Sequence, residues 1–128
     1  MSTTQWQSLT AMFYAQAKML ADKPLLFTKL NNDWVSLTWK QTAERVTKLA
    51  SALEKMGVEA GDRVVLVSEN RPEWLIADFA IMSLGAISVP TYTTNTARDH
   101  LHILENSGAK AAVVSTKALA RTFLKAAH

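Results

Sequence analysis

Arg63-Val64-Val65-Leu66-Val67-Ser68 is a short, almost continuous aliphatic run, mostly β-branched. A strand covered on both faces reads this way, because no polar face alternates with the apolar one. The residues downstream repeat the same logic. Pro72 stands well in the first turn of a helix that runs to Leu84 and stops at Gly85. Ala86–Val89 is a second apolar strand whose pairing Pro90 ends, and Thr91–Asn95 is a polar loop. Thr96 caps the next helix, with Asp99 favourably placed against the helix dipole. Leu101, Ile103 and Leu104 give that helix an apolar side, and Gly108 ends it. Ala111–Val114 is a third strand, and Ser115 or Thr116 caps a last helix to Ala127. Strand and helix alternate three times, which predicts a parallel sheet with right-handed crossovers.

Upstream the pattern differs. Leu9, Met12, Phe13, Ala17 and Leu20 recur at helical spacing within Thr4–Ala21, and Pro24 comes soon after. Leu25–Leu30 and Trp34–Trp39 read as strands around the turn cluster Asn31-Asn32-Asp33, a β-hairpin. Thr38-Trp39-Lys40-Gln41 is a capping box. The helix it opens carries Val46, Leu49, Ala50, Leu53 and Met56 on one face and stops at Gly57. Ala60-Gly61-Asp62 is a turn, into which Asp62 and Arg63 fit as shaping residues. The expected class is therefore α/β: an N-terminal helix and β-hairpin, then a βαβαβα unit with a mainly parallel sheet, over residues 1–128 as one domain or subdomain.

Composition narrows the functions. The chain has 128 residues, 48% hydrophobic and 20% charged, which is ordinary for a globular domain. Without cysteine there is no disulfide, thiolate metal site or cysteine nucleophile. The net charge of +3 is mild and spread along the chain, so no nucleic-acid partner is expected. No basic-then-apolar leader opens the chain, and the apolar run Trp74–Leu84 is too short to span a bilayer. The four glycines, Gly57, Gly61, Gly85 and Gly108, form no phosphate-cradling pattern. Three read as helix terminators and Gly61 as a turn residue.

One helix breaks the usual rule. Pro72–Leu84 is apolar on every side, with Glu73, Asp78 and Ser83 as isolated polar points. A helix of that kind must be buried all round. Either this chain covers it, or a partner does and the isolated chain exposes an apolar patch through which it dimerises; the second is the expectation. The end of the chain is also unusual. Leu119–His128 stays helical in pattern without a stop, so the natural polypeptide is expected to continue.

The search for chemistry finds no catalytic, cofactor-binding or metal-binding residue. His100 and His102 point roughly 200° apart on a helix and cannot share a metal. Both read as surface or boundary histidines, and His128 is terminal. Asp78 reads either as a buried functional carboxylate or, the commoner case, as an exposed point or ion-pair partner. Trp34, Trp39 and Trp74 read as core or boundary aromatics.

A resemblance adds to this. Gly57-Val58-Glu59-Ala60-Gly61-Asp62-Arg63-Val64 is followed by Ser68-Glu69-Asn70-Arg71-Pro72-Glu73-Trp74, then by Ala80-Ile81-Met82-Ser83-Leu84-Gly85-Ala86. Next comes Val89-Pro90-Thr91-Tyr92-Thr93-Thr94-Asn95-Thr96. Trp34-Val35-Ser36-Leu37-Thr38-Trp39 and Leu104-Glu105-Asn106-Ser107-Gly108-Ala109 fit the same series. The succession resembles the N-terminal part of AMP-forming acyl-CoA synthetases of the adenylate-forming superfamily, above all the long-chain fatty-acid–CoA ligases.

The resemblance implies that the chain is part of a larger N-terminal domain of such an enzyme. It implies ATP, magnesium and coenzyme A for the parent protein, with none of them held by this fragment. The family's Ser/Thr/Gly-rich phosphate loop, its Tyr-Gly-x-Thr-Glu motif, its ribose-holding Asp and its C-terminal Lys have no counterpart here. No catalytic residue is carried over, and the fragment is expected to be inactive. Expected partners are the remainder of the polypeptide and a second copy of the chain. The resemblance implies a cytoplasmic protein, or one at the inner face of a membrane. Tyr92 and its threonine neighbours come after a predicted strand, where α/β sheets place ligand loops. A standalone, non-catalytic α/β binding or interaction module is the alternative reading.

Overall fold

The computed structural model of the chain describes residues 6–127. Thr4, the expected start of the first helix, and His128 lie outside the described residues. The first helix, α1, spans Leu9–Met19, and its N-cap Ser8 accepts a hydrogen bond from the Ala11 N–H. Strands β1 (Pro24–Leu30) and β2 (Asp33–Thr38) form an antiparallel hairpin. Its turn passes through Asn31 and Asn32, both with positive φ, which asparagine tolerates. The capping box forms as expected at the start of α2 (Trp39–Lys55): the Gln41 N–H donates to Thr38 Oγ1 at 3.0 Å, and the Thr38 N–H donates to Gln41 Oε1 at 2.9 Å.

Three parallel strands come next, β3 (Arg63–Val67), β4 (Ile87–Thr91) and β5 (Ala111–Val114), in the spatial order β4-β3-β5. Helix α3 (Pro72–Ser83) links β3 to β4, α4 (Ala97–Ser107) links β4 to β5, and α5 (Lys117–Ala126) comes last. The central strand is sealed as its composition requires: Val64, Val65, Leu66 and Val67 are each 0% exposed. Its side chains alternate between two cores. Val64 joins Phe13, Val46, Leu53, Phe79 and Ile81 on the face of α1, α2 and α3. Val65 and Val67 join Phe123 on the other face, with Ile103 and Leu104 of α4.

Five expectations need correction. Helix α3 has no need of an outside partner. Glu73 is its one exposed residue, and α1, α2 and the base of the hairpin cover the side turned away from the sheet. Phe13 stacks on Phe79 with ring centroids 4.6 Å apart, and Ser83 donates to the Phe79 carbonyl while receiving the Tyr14 hydroxyl. The exposed apolar side chains lie elsewhere, with Trp34 at 71%, Phe27 at 57% and Leu30 at 59% on the hairpin. Trp34 is therefore not the core or boundary aromatic expected: it pairs with Lys29 beside the turn, whereas only Leu25, Leu26 and Leu37 at the hairpin's base reach the core.

Pro90 does not end a strand; it pairs with Leu66 inside β4. The strand lies at the edge of the sheet, and the Ile87 N–H donates inward to the Asp62 carbonyl. Alternation then turns the nitrogen of Pro90 outward, where no ladder bond is lost. The opposite edge, β5, carries only Ala111, Ala112, Val113 and Val114 and has no such block. His100 is no surface residue: it is 1% exposed and packs edge-on against Phe123 at 5.3 Å. Leu101 is turned to solvent instead, so the inward stripe of α4 is His100, Ile103 and Leu104. A polar residue took a core position, which periodicity of apolar residues cannot register.

Candidate functional site

Loops leaving the carboxyl ends of parallel strands are where α/β sheets receive ligands. In this chain those loops are 68–71 after β3, 92–95 after β4, and 115–116 after β5. The first and last are tied together. Ser115 Oγ donates to Glu69 Oε2 at 2.7 Å, and the Ser115 N–H donates to the Val67 carbonyl at 3.0 Å. Arg71 Nε lies 3.5 Å from the same carboxylate oxygen. The Ser115 hydroxyl, the Glu69 backbone N–H and the Arg71 charge together hold the Glu69 carboxyl below its ordinary value. A carboxylate so stabilised is a weak base toward the serine that donates to it. The cluster is a brace between two loops.

The middle loop carries Tyr92, which is 79% exposed, and turns back through an Asn95 N–H bond to the Tyr92 carbonyl. It leads into the N-terminus of α4, which caps itself. Thr96 Oγ1 accepts from the Asp99 N–H, while Asp99 Oδ2 accepts from the Thr96 N–H at 2.9 Å. These bonds from Thr96 hold the Asp99 carboxyl below its usual range. A shallow depression of about 390 Å³ opens beside this turn between Tyr92, Asn95 and Arg98. The sheet therefore places Tyr92 at its carboxyl edge, in the open.

The glycines do not lie where a strand's carboxyl end would offer them to a phosphate. Gly61, Gly85 and Gly108 all precede strands, at the amino edge of the sheet, opposite to the ligand edge. All have positive φ, and there the Gly61 N–H donates to the Gly85 carbonyl at 2.9 Å. The same edge holds the Asp62–Arg63 turn. The Glu59 N–H donates to Asp62 Oδ2 at 2.7 Å, which with Lys110 lowers the Asp62 pKa, and Arg63 Nε donates to the Ser107 carbonyl. Both residues shape the turn, as their sequence position suggests. Among the described residues, no three acidic or histidine side chains group to hold a metal, and no helix is long and apolar enough to cross a membrane.

Other candidates are dispersed. His102 is exposed and bonded to Asn106 at 3.0 Å, while His100 faces the core. Asp78 is half-buried on α3; the ion pairs among the described residues are Arg71–Glu69 and Lys110–Asp62, so it joins none. Glu69 and Ser115 carry no sequence signal of their own. They are 46 positions apart, and only the strand order brings their loops to one edge.

Comparison with known proteins agrees with this layout. Residues 13–128 match the family model described as AMP-binding enzyme. The long-chain-fatty-acid–CoA ligase FadD15 of Mycobacterium tuberculosis is 35% identical over 102 residues, which is 80% of this chain and 17% of that protein. The chain thus spans a small part of the curated relatives it matches. The anthranilate CoA ligase AuaEII, solved with anthranoyl-AMP, superposes with a TM-score of 0.82 at 23% identity, over 95% of this chain and 23% of that one. A fatty acid AMP ligase from Legionella pneumophila gives 0.80 at 21% identity, over 91% of this chain and 21% of that one. At such identity these two structures speak for the fold alone.

Proposed function

The chain belongs to the AMP-binding enzyme family, and from that premise we propose that it is the N-terminal scaffold of an ATP-dependent long-chain fatty-acid–CoA ligase, inactive by itself. The observation that carries the substrate class is the identity to a mycobacterial long-chain ligase along most of this chain. In the parent protein a fatty carboxylate attacks the α-phosphate of ATP, releasing pyrophosphate and leaving an acyl-adenylate. The thiolate of coenzyme A then displaces AMP to give the thioester. Magnesium, ATP and coenzyme A are bound by residues beyond this chain.

The contribution of this chain is rigidity. A fully buried β3 between two cores anchors the loop at 68–71, and the Glu69–Ser115 brace ties that loop to 115–116. Its partner is the remainder of the polypeptide, which covers the exposed Phe27 and Trp34 of the hairpin. The test is pyrophosphate release from ATP in the presence of palmitate and magnesium. The chain alone should give none above a protein-free blank. Release well above that blank would sink the scaffold reading.

A further inference from the structure

Helices α1 and α2 do not fill the space between them. Their facing positions carry small side chains, Ala17 and Ala21 from the first helix and its end, and Ala43 from the second. A shallow, open apolar slot of about 630 Å³ is left there, in volume within the range of small-molecule sites though lying open to solvent along its length. Tyr14 lies at one end, its hydroxyl already engaged with Ser83. At the other end the Lys40 N–H is bonded to the Ala21 carbonyl, so the two helices are fastened there. The rim is cationic: Lys18, Lys40 and Lys48 surround the slot against a single carboxylate, Glu44. All three lysines are exposed, and none is in an ion pair among the described residues.

An apolar floor beneath a rim of unpaired cations calls for an occupant that is apolar inside and anionic at its end. We propose that the α1–α2 slot binds a single-chain anionic amphiphile, an alkyl chain ending in a carboxylate, sulfate or phosphate. The chain lies over Ala17, Ala21 and Ala43, and the head group meets Lys18 together with Lys40 or Lys48. Along α2 the slot runs from Lys40 to Lys48, about 12 Å at 1.5 Å per residue, so it takes a medium chain. A membrane surface fits less well. Surface-binding helices present large apolar side chains outward, and this face offers alanines set below its lysines. The proposal is independent of the ligase reading, since it concerns binding to this chain alone.

The test is calorimetric titration of the whole chain with decanoate below its micelle concentration. Decyltrimethylammonium, with the same chain and the opposite charge, serves as the comparison. Decanoate should bind, and the cationic probe should bind at least about tenfold more weakly, as expected when two or three exposed charge contacts are exchanged for repulsion. Ala43→Leu fills the slot and should abolish decanoate binding. The triple variant Lys18→Gln, Lys40→Gln, Lys48→Gln changes only exposed residues; it should keep the fold and lose about tenfold in affinity. Equal binding of the two probes would overturn the proposal. So would unchanged binding by the triple variant, or binding seen only with phosphatidylglycerol vesicles or an acidic helical peptide. Should Ala43→Leu fail to fold, the triple variant decides.

Discussion

Ser115 reaches back across 46 positions to place its hydroxyl 2.7 Å from the Glu69 carboxylate, joining the loops that leave two adjacent strands. That bond is the leading reason the Glu69 carboxyl is held below its ordinary value. Glu69 has a lower pKa folded than unfolded, so its contribution is present above the unfolded value and is lost as pH falls through the folded one. Ser115→Ala should raise the Glu69 pKa toward the usual carboxylate range. Carbon-detected NMR titration of the Glu69 carboxyl would show this; an unmoved midpoint would mean Arg71 and the backbone hold it instead.

His100 acts in the same sense, for a different reason and in a higher pH range. Burial lowers its pKa, opposed only in part by Asp99, and both ring nitrogens lack a hydrogen-bond partner. The unfolded chain therefore takes up the proton first. Stability is full above the ordinary value of about 6.5 and declines as pH falls below it, levelling off beneath the folded pKa. His100→Leu should flatten that decline and raise stability by about 1 kcal/mol even near pH 8, because it removes buried polar atoms without partners. Urea midpoints measured from pH 8 to pH 5 check both statements; an identical slope in the variant would contradict them.

Helix α3 makes its contribution inside this chain. Ile81 is 0% exposed, so Ile81→Ala should cost about 2–5 kcal/mol. Leu124 on α5 is 53% exposed, and Leu124→Ala should stay within about 0.5 kcal/mol. Chemical denaturation of both variants compares them directly. Near-equal losses would mean that the cover over α3 is loose.

Gly108 ends α4 in the left-handed region, with φ of 62°. A methyl group there would also stand 3.0 Å from Arg63 Nη2. Gly108→Ala should destabilise by about 1–2 kcal/mol, chiefly from the backbone, because the arginine tip can yield. The shift in melting temperature reads this. A neutral result would show that the helix end relaxes at no cost.

Local signals are legible in the sequence. The Thr38–Gln41 and Thr96–Asp99 caps, the glycine stops and the aliphatic run of β3 each depend on residues a few positions apart. The strand–helix alternation then implies the parallel sheet. Tertiary placement is harder to see. Pro90 looks like a stop until the strand is known to lie at an edge, and His100 looks solvated until α5 brings Phe123 over it. The brace between Glu69 and Ser115 depends on strand order, and the slot between α1 and α2 on the packing of two helices. For α3 the apolar surface is legible from periodicity, but its cover comes from residues 13–53, which the downstream repeat does not mention.

The two edges of the sheet differ in what they offer a further strand. Pro90 leaves β4 without a full set of outward donors, while β5, Ala111–Val114, carries no proline. A strand laid beside β4 would meet no donor at Pro90, so the edge at β5 is the one that can pair without a gap in its ladder.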